Sequence, residues 1–481
     1  MNNRGVLIKP YKIAVFLIAV QAILAVMVFW FPEDGIHLWG DYSINFSKPK
    51  DFYQEKTREI DVVSEVTKTY SLEELEEDTL LATAIDSSIL EQALIIQDKE
   101  RIIHPSDFEN GLYSFYSKLS KVNNYSKPLR IMHFGDSQLE GDRISGVIRE
   151  NLQTLFGGCG VGFIPISETN TGRLSVLKEE SGWERYQVFG NGRKGSHSRY
   201  GFMGYYYKVG RDTIKQKTAE IEIRKNQRYF RKAQNFEQIS LLYANSAENV
   251  DYELKTDTGI VSKGNLIASK DVNRRIWQMN GFSTGKISLF LETANSPDFY
   301  GVSLDCRRGV AVDNIALRGS SGTDFTKIDK EYLTQQLKSL NVGLIIFQFG
   351  LNVVPAELKS YRYYENAMYK QLKLLKDILP DASILVISVT DACKSESESY
   401  ANIDKVRDAQ KRAAKRANCS FWDLYKVMGG AFSMPSWVNA KPSLAEKDYK
   451  HFNSRGAKVI GNKLFNAIIS DYNDYKSTNI N

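Results

Sequence analysis

The sequence is short of cysteine, histidine and net charge, and it holds only one long apolar run. Four cysteines in 481 residues, at positions 159, 306, 393 and 419, are too few for a disulfide scaffold and too scattered for a zinc site. In an oxidising space Cys159 could pair with Cys306 and Cys393 with Cys419; four separate buried thiols are the equal alternative. A net charge of +6, with Lys and Arg interleaved among Asp and Glu, leaves no basic stripe and argues against nucleic acid as a partner. There is no internal repeat and no low-complexity tract, and a hydrophobic content of 42% with 25% charged residues excludes global disorder. Gly157, Gly158, Gly160 and Gly162 lack the Lys-Ser/Thr ending of a phosphate loop. No cofactor and no metal are expected.

The one apolar run, residues 13–31, is broken only by Gln21. It suits a transmembrane helix, which needs about 20 such residues. Arg4, Lys9 and Lys12 precede it and Glu33 and Asp34 follow, an asymmetry that keeps the N-terminus cytoplasmic and sends the rest across. The run ends in Trp30, Phe31 and Pro32 rather than in the small residues of a cleavage site, so a retained signal-anchor is expected. The expected location is therefore single-pass in a bacterial inner membrane, with the chemistry in the periplasm or outside the cell.

Organisation follows from pattern. After a basic segment (1–12) and the anchor (13–32), residues 33–107 mix acidic runs with short apolar patches and read as a juxtamembrane stalk. Residues 108–164 carry a helical pattern, then the apolar run 129–134, then a helical pattern at Ile144, Val147, Ile148, Leu152 and Leu155. Residues 165–308 change to short alternating stretches such as 219–223, 239–243 and 287–291, separated by turns, which predicts an inserted β-sandwich. From 309 to 473 strands at 310–317, 342–349, 384–389 and 420–424 alternate with helices, and 474–481 is left as a tail. The alternation on both sides of the insert predicts an α/β fold, a three-layer, flavodoxin-like doubly wound parallel sheet.

An uncharged serine needs a base to take its proton and a carboxylate to orient that base. Of five histidines, His37 lies beside the anchor, His104 in the stalk, His133 inside a strand and His197 in the insert. Away from the anchor, only His451 has a carboxylate at useful spacing, Asp448, three residues earlier. Ser137, in Gly135-Asp136-Ser137, sits where a strand hands over to a helix, and backbone N–H groups there can stabilise an oxyanion. Asn352, in Gly350-Leu351-Asn352, supplies a side-chain donor after another strand. Gly319 offers a backbone N–H after a third, with Gly322 as the alternative. All three fall at C-terminal strand ends, where open α/β sheets bind ligands.

These four blocks, in this order, resemble the SGNH (GDSL) hydrolase superfamily over residues 128–165 and 309–470. The resemblance implies Ser137 as nucleophile, His451 as base, Asp448 as its partner, and the Ser137 N–H, Gly319 and Asn352 as oxyanion donors. His451-Phe452-Asn453-Ser454-Arg455-Gly456 is similar to the usual continuation. Gln138 stands where the leucine of GDSL would, and Val353 where many members have Asp. The insert occupies the interval used by a carbohydrate-binding-module-like sandwich in periplasmic peptidoglycan O-acetylesterases, and Trp183, Tyr186, Tyr200, Phe202, Tyr205, Tyr206 and Tyr207 offer either a sugar-stacking platform or sandwich core. The implied activity is removal of O-acetyl groups from a cell-envelope glycan, peptidoglycan or another polysaccharide. The alternatives are an O-acetyltransferase served by an integral-membrane acyltransferase, and an inactive glycan-binding scaffold.

Overall fold

The computed structural model describes residues 11–12, 15–20, 36–37, 43–44, 96–105, 111–168, 172–210, 216–279 and 285–478. The chain divides into two units, Met1–Glu59 and Ile60–Asn481. In the first, residues 15–20 are helical and Ile36–His37 pairs antiparallel with Ser43–Ile44. Most of the apolar run 13–31 lies outside the described residues; among the described residues no helix is long and apolar enough to cross a membrane.

The second unit is built on five parallel strands: β1 (Leu129–Gly135), β2 (Val310–Ala316), β3 (Val342–Gln348), β4 (Ser383–Ile387) and β5 (Ser420–Trp422), in the order β2-β1-β3-β4-β5. Their side chains alternate between two cores. Ile131, Leu344, Ile346 and Leu385 join one, while Met132, Phe134, Ile345, Phe347 and Val386 join the other, as the two-residue period of a sheet buried on both faces requires. The first core is closed by α1 (Arg143–Phe156) and α5 (Ser454–Thr478), through residues such as Ile148, Leu152, Leu464 and Ile468. The second is closed by α2 (Lys330–Lys338), α3 (Arg362–Ile378) and α4 (Ile403–Arg416), through Leu337, Met368, Leu372, Val406 and Ala413. The strand order reverses direction between β1 and β3, which opens a crevice at their C-terminal ends.

Between α1 and β2 the chain makes two antiparallel sheets. One has five strands, among them Val250–Thr256, Lys286–Thr293 and Lys217–Lys225; the other is built around Gln238–Ala244 and Asp298–Asp305. The rings of Tyr252 and Trp277 meet between them, 5.1 Å apart. Gly162–Ile164, ahead of the expected insert boundary at 165, already pairs with Asp298–Asp305. Where the chain leaves the α/β unit and returns, Cys159 and Cys306 form a disulfide; Cys393 and Cys419 are separate buried thiols. Of the seven insert aromatics, Tyr200, Phe202, Tyr205, Tyr206 and Tyr207 are buried. Trp183 and Tyr186 are only part-buried, packed on the same core, so these rings build sandwich rather than an open platform.

Two expected boundaries shift. Part of the expected stalk, residues 96–105, docks on the sheet: Ile103 and Phe421 exchange backbone hydrogen bonds of 2.8 Å, and Lys463 pairs with buried Glu100 at 2.6 Å. The final helix runs into the expected tail because Tyr472 and Tyr475 pack on Tyr113 and Tyr116.

Candidate active site

The ends of β1, β2 and β3 are level, since Gly135 stands opposite Ala316 and Gln348. The turns that follow are tied together there. Leu317 N–H donates to Gly135 O at 2.7 Å and Asp136 N–H to Gln348 O at 3.3 Å. Asp136 caps the 3₁₀ turn Ser137–Asp142, accepting from Gln138 N–H at 3.1 Å, and its other oxygen accepts from Leu351 N–H at 3.2 Å. Burial pushes this carboxyl up to about 6 although the Gln138, Leu351 and Gly350 N–H groups favour its ionised form.

The structure brings Ser137, His451 and Asp448 together across 314 positions of sequence. Ser137 Oγ lies 2.7 Å from His451 Nε2, and His451 Nδ1 lies 2.5 Å from Asp448 Oδ2. Asp448 Oδ1 also accepts from the N–H groups of Lys450 and His451 at 2.9 and 3.1 Å. This closed turn requires Tyr449 at φ 55°, a left-handed conformation rare for a non-glycine residue and characteristic of functional turns. Partial burial acts to raise the Asp448 carboxyl, but the His451 hydrogen bond and the two N–H groups outweigh it and hold the group down at about 2.

Gly319 sits at φ 79° with nothing within 4 Å of where a Cβ would be, whereas a Cβ on Gly322 would strike the Phe349 ring at 2.6 Å. Gly322 N–H is engaged with Ser320 Oγ at 3.1 Å, while the N–H groups of Ser137 and Gly319 make no hydrogen bond among the described residues. Of the two glycines, Gly319 is therefore the one open to a ligand. Asn352 is exposed; its Nδ2 donates to Ser320 O at 3.0 Å, and a primary amide has a second N–H to give. A narrow cleft adjoins these turns, lined by Glu140, Asn314 and Arg318 on the α/β side and by Glu168, Arg173 and Tyr205 on the insert side.

The other described histidines serve elsewhere. His133 bridges Ser145 Oγ and Gln348 Oε1, each at 3.0 Å, and complete burial lowers it to about 4, so it is neutral at physiological pH. His197 stacks on Tyr206 at 4.6 Å. His104 forms a second Ser-His-Asp array, 3.1 Å from Ser420 Oγ and 2.8 Å from Asp471. Ser420 is wholly buried in β5 and Asp471 is shared with the Tyr116 hydroxyl at 2.7 Å, so this array ties the docked segment down and presents no nucleophile. Among the described residues no cluster could hold a metal ion.

Two residues at the site were not singled out for it by the sequence: Thr390, buried beyond β4, and Gln138, visible only as a departure from the motif. Both contact each other at 3.3 Å.

No protein-family model and no curated protein matches the sequence. Solved structures do. A peptidoglycan O-acetylesterase is 18% identical, with a TM-score of 0.60 over 75% of this chain and 96% of its own. An acetyl xylan esterase (15% identical, 33% of this chain and 81% of its own, TM-score 0.26) and a family two carbohydrate esterase from Clostridium thermocellum (9%, 56% and 95%, TM-score 0.25) are much more partial likenesses. The chain thus has the fold of a peptidoglycan O-acetylesterase, the architecture that the SGNH-like motifs lead one to expect.

Proposed function

We propose that the chain is a serine esterase that removes O-acetyl groups from a cell-envelope glycan through an acyl-enzyme on Ser137. The observation that carries the reading is the continuous relay from Ser137 Oγ through His451 to Asp448, with links of 2.7 and 2.5 Å. His451 Nε2 takes the hydroxyl proton as Oγ attacks the acetyl carbonyl, and the ionised Asp448 stabilises the resulting imidazolium. The oxyanion is received by the N–H groups of Ser137 and Gly319 and by Asn352 Nδ2. Collapse breaks the ester bond, and the imidazolium returns its proton to the departing sugar oxygen. Water, deprotonated by the same imidazole, then attacks the acyl carbonyl and releases acetate and Ser137.

Transfer of the acetyl group to a sugar hydroxyl would use the same residues. Hydrolysis is favoured because His451 and Asp448 keep 26% and 46% of their side-chain surface exposed, so water reaches the acyl-enzyme without a closure step. A glycan-binding scaffold is disfavoured because every element of the relay is present. The fold shared with a peptidoglycan O-acetylesterase supports an acetylated glycan as substrate. Anchoring through residues 13–31, with the catalytic unit in the periplasm or outside the cell, is supported by the uncovered helical side chains of Val15, Phe16, Leu17 and Ile18 and by a disulfide, a bond that persists in oxidising compartments.

The test is to incubate the purified full-length chain in detergent with p-nitrophenyl acetate and with O-acetylated peptidoglycan, with and without deacetylated sugar acceptor. Acetate release through an acetyl group on Ser137 is expected. Acetyl appearing on the acceptor would make it a transferase, and no acyl-enzyme from either donor would overturn the reading.

A further inference from the structure

The residue after the nucleophile is Gln138, where the resembling motif carries leucine, and its side chain is almost wholly buried, 3% exposed. Every polar atom of its amide is used. Nε2 donates to Lys450 O at 2.6 Å and to Thr390 Oγ1 at 3.3 Å, while Oε1 accepts from Phe452 N–H at 3.3 Å. A carbonyl can only accept and a peptide N–H can only donate, so these partners fix which end of the amide is which.

The two backbone groups are those on either side of His451. The amide therefore pairs with the His451 turn as a neighbouring strand would, one bond before the imidazole-bearing residue and one after it. Within the turn, His451 N–H goes to Asp448 and His451 O accepts from Glu446 N–H at 2.8 Å. Those bonds shape the turn without setting its distance from Ser137. Besides the Ser137–His451 bond itself, Arg143 Nη1 donates to Phe452 O at 2.6 Å downstream of the imidazole, and Cys393 N–H donates to Tyr449 O at 2.9 Å upstream of it. Gln138 is the side chain that holds the backbone groups immediately on both sides of His451.

Resting on the esterase reading above, we infer that Gln138 is a positioning residue: its side-chain amide brackets the backbone of His451 and sets the reach of the imidazole to the adjacent Ser137. The reason is geometric. Nucleophile and clamp are consecutive residues on one capped turn, so the Gln138 amide is the shortest path that couples the position of Ser137 Oγ to that of His451 Nε2. Proton transfer is sensitive to the separation of these two atoms, and a misplacement of about 1 Å can cost about 100-fold in rate. A leucine at this position would fill the space and hold neither backbone group.

The test is a double-mutant cycle on the full chain with p-nitrophenyl acetate. Gln138→Met keeps length and volume and loses all three hydrogen bonds; Gln138→Glu keeps the acceptor and loses the donors. Either is expected to lower kcat about 10- to 100-fold with KM little changed. In a His451→Ala background the same substitution is expected to cost nothing further, because Gln138 acts through the imidazole. Wild-type kcat in a folded Gln138→Met or Gln138→Glu protein would overturn the inference, as would an equal fractional loss in the presence and absence of His451. Loss of the folding transition in both variants would also overturn it, marking the amide as a structural tie. A wild-type chain that cleaves no ester, and so behaves like Ser137→Ala, would overturn the esterase reading first and this inference with it.

Discussion

Replacing Asp448 by asparagine separates the charge of the third relay member from its shape. The carboxyl is held down from 3.8 to about 2, chiefly by the hydrogen bond from His451 against a partial-burial effect of opposite sign. A difference of that size corresponds to ~2.5 kcal/mol, but Asp448 is 46% exposed, and solvent screening reduces the usable part to about 1 kcal/mol. Loss of that stabilisation of the imidazolium slows acylation by about 5- to 10-fold. Asparagine can also turn its NH₂ toward Nδ1 and so favour the tautomer with a proton on Nε2, which cannot accept one from Ser137. Together the two effects predict a fall in kcat of about 100-fold, less than the roughly 10⁴-fold seen where a triad carboxylate is fully buried. The assay is kcat and KM for p-nitrophenyl acetate across the pH range, with thermal melting as a control. The stability effect has a definite sign: a lowered carboxyl contributes stability above its unfolded value of 3.8 that is lost as pH falls toward 2, so the wild type sheds extra stability in that window and Asp448→Asn does not. A variant within about twofold of wild-type kcat at every pH would refute the reasoning, because that is less than screened charge alone must cost.

Removing the second amide donor with Asn352→Ala should lower kcat by about 100- to 1,000-fold with KM little altered, read by steady-state kinetics. His104→Ala should lower stability by about 1–3 kcal/mol, because it breaks the tie among Ser420, Asp471 and the docked segment; ester cleavage per folded molecule should be unchanged. Cys159→Ser, or reduction, opens a loop closed over 147 positions and should cost about 3–5 kcal/mol in denaturant unfolding, with Cys393 and Cys419 adding nothing because they are unpaired.

The parallel sheet was legible because its strands are fully buried and therefore read as unbroken apolar runs: 129–134 and 342–347 could hardly be anything else. The insert was legible from the opposite signal, short alternating stretches such as 219–223, with 287–291 alternating less regularly. The relay could be proposed because, apart from His37 beside the apolar run, only His451 has a carboxylate three residues before it. What escaped are contacts with no periodicity. The docking of residues 96–105 rests on an exchanged pair of backbone bonds, a buried ion pair and the contacts of His104 with Ser420 and Asp471, none of which leaves a local pattern. Tyr200, Tyr205, Tyr206 and Tyr207 lie in the sandwich core, the fate the sequence favours for most of these aromatics over a sugar-stacking face. Spacing left the thiol pairing open, and the folded backbone joins only the first pair. Gln138 escaped for a related reason: its partners lie 312 and 314 positions away, and an amide that clamps a backbone looks, in sequence, like any polar substitution.

The central claim is that His451 activates Ser137 and no other serine. A fluorophosphonate, which reacts with activated serines, followed by peptide mapping of the full-length chain tests it most directly. The account predicts a single label on Ser137, abolished by His451→Ala and untouched by His104→Ala; a label on Ser420 or elsewhere, or labelling of Ser137 that survives His451→Ala, would contradict it.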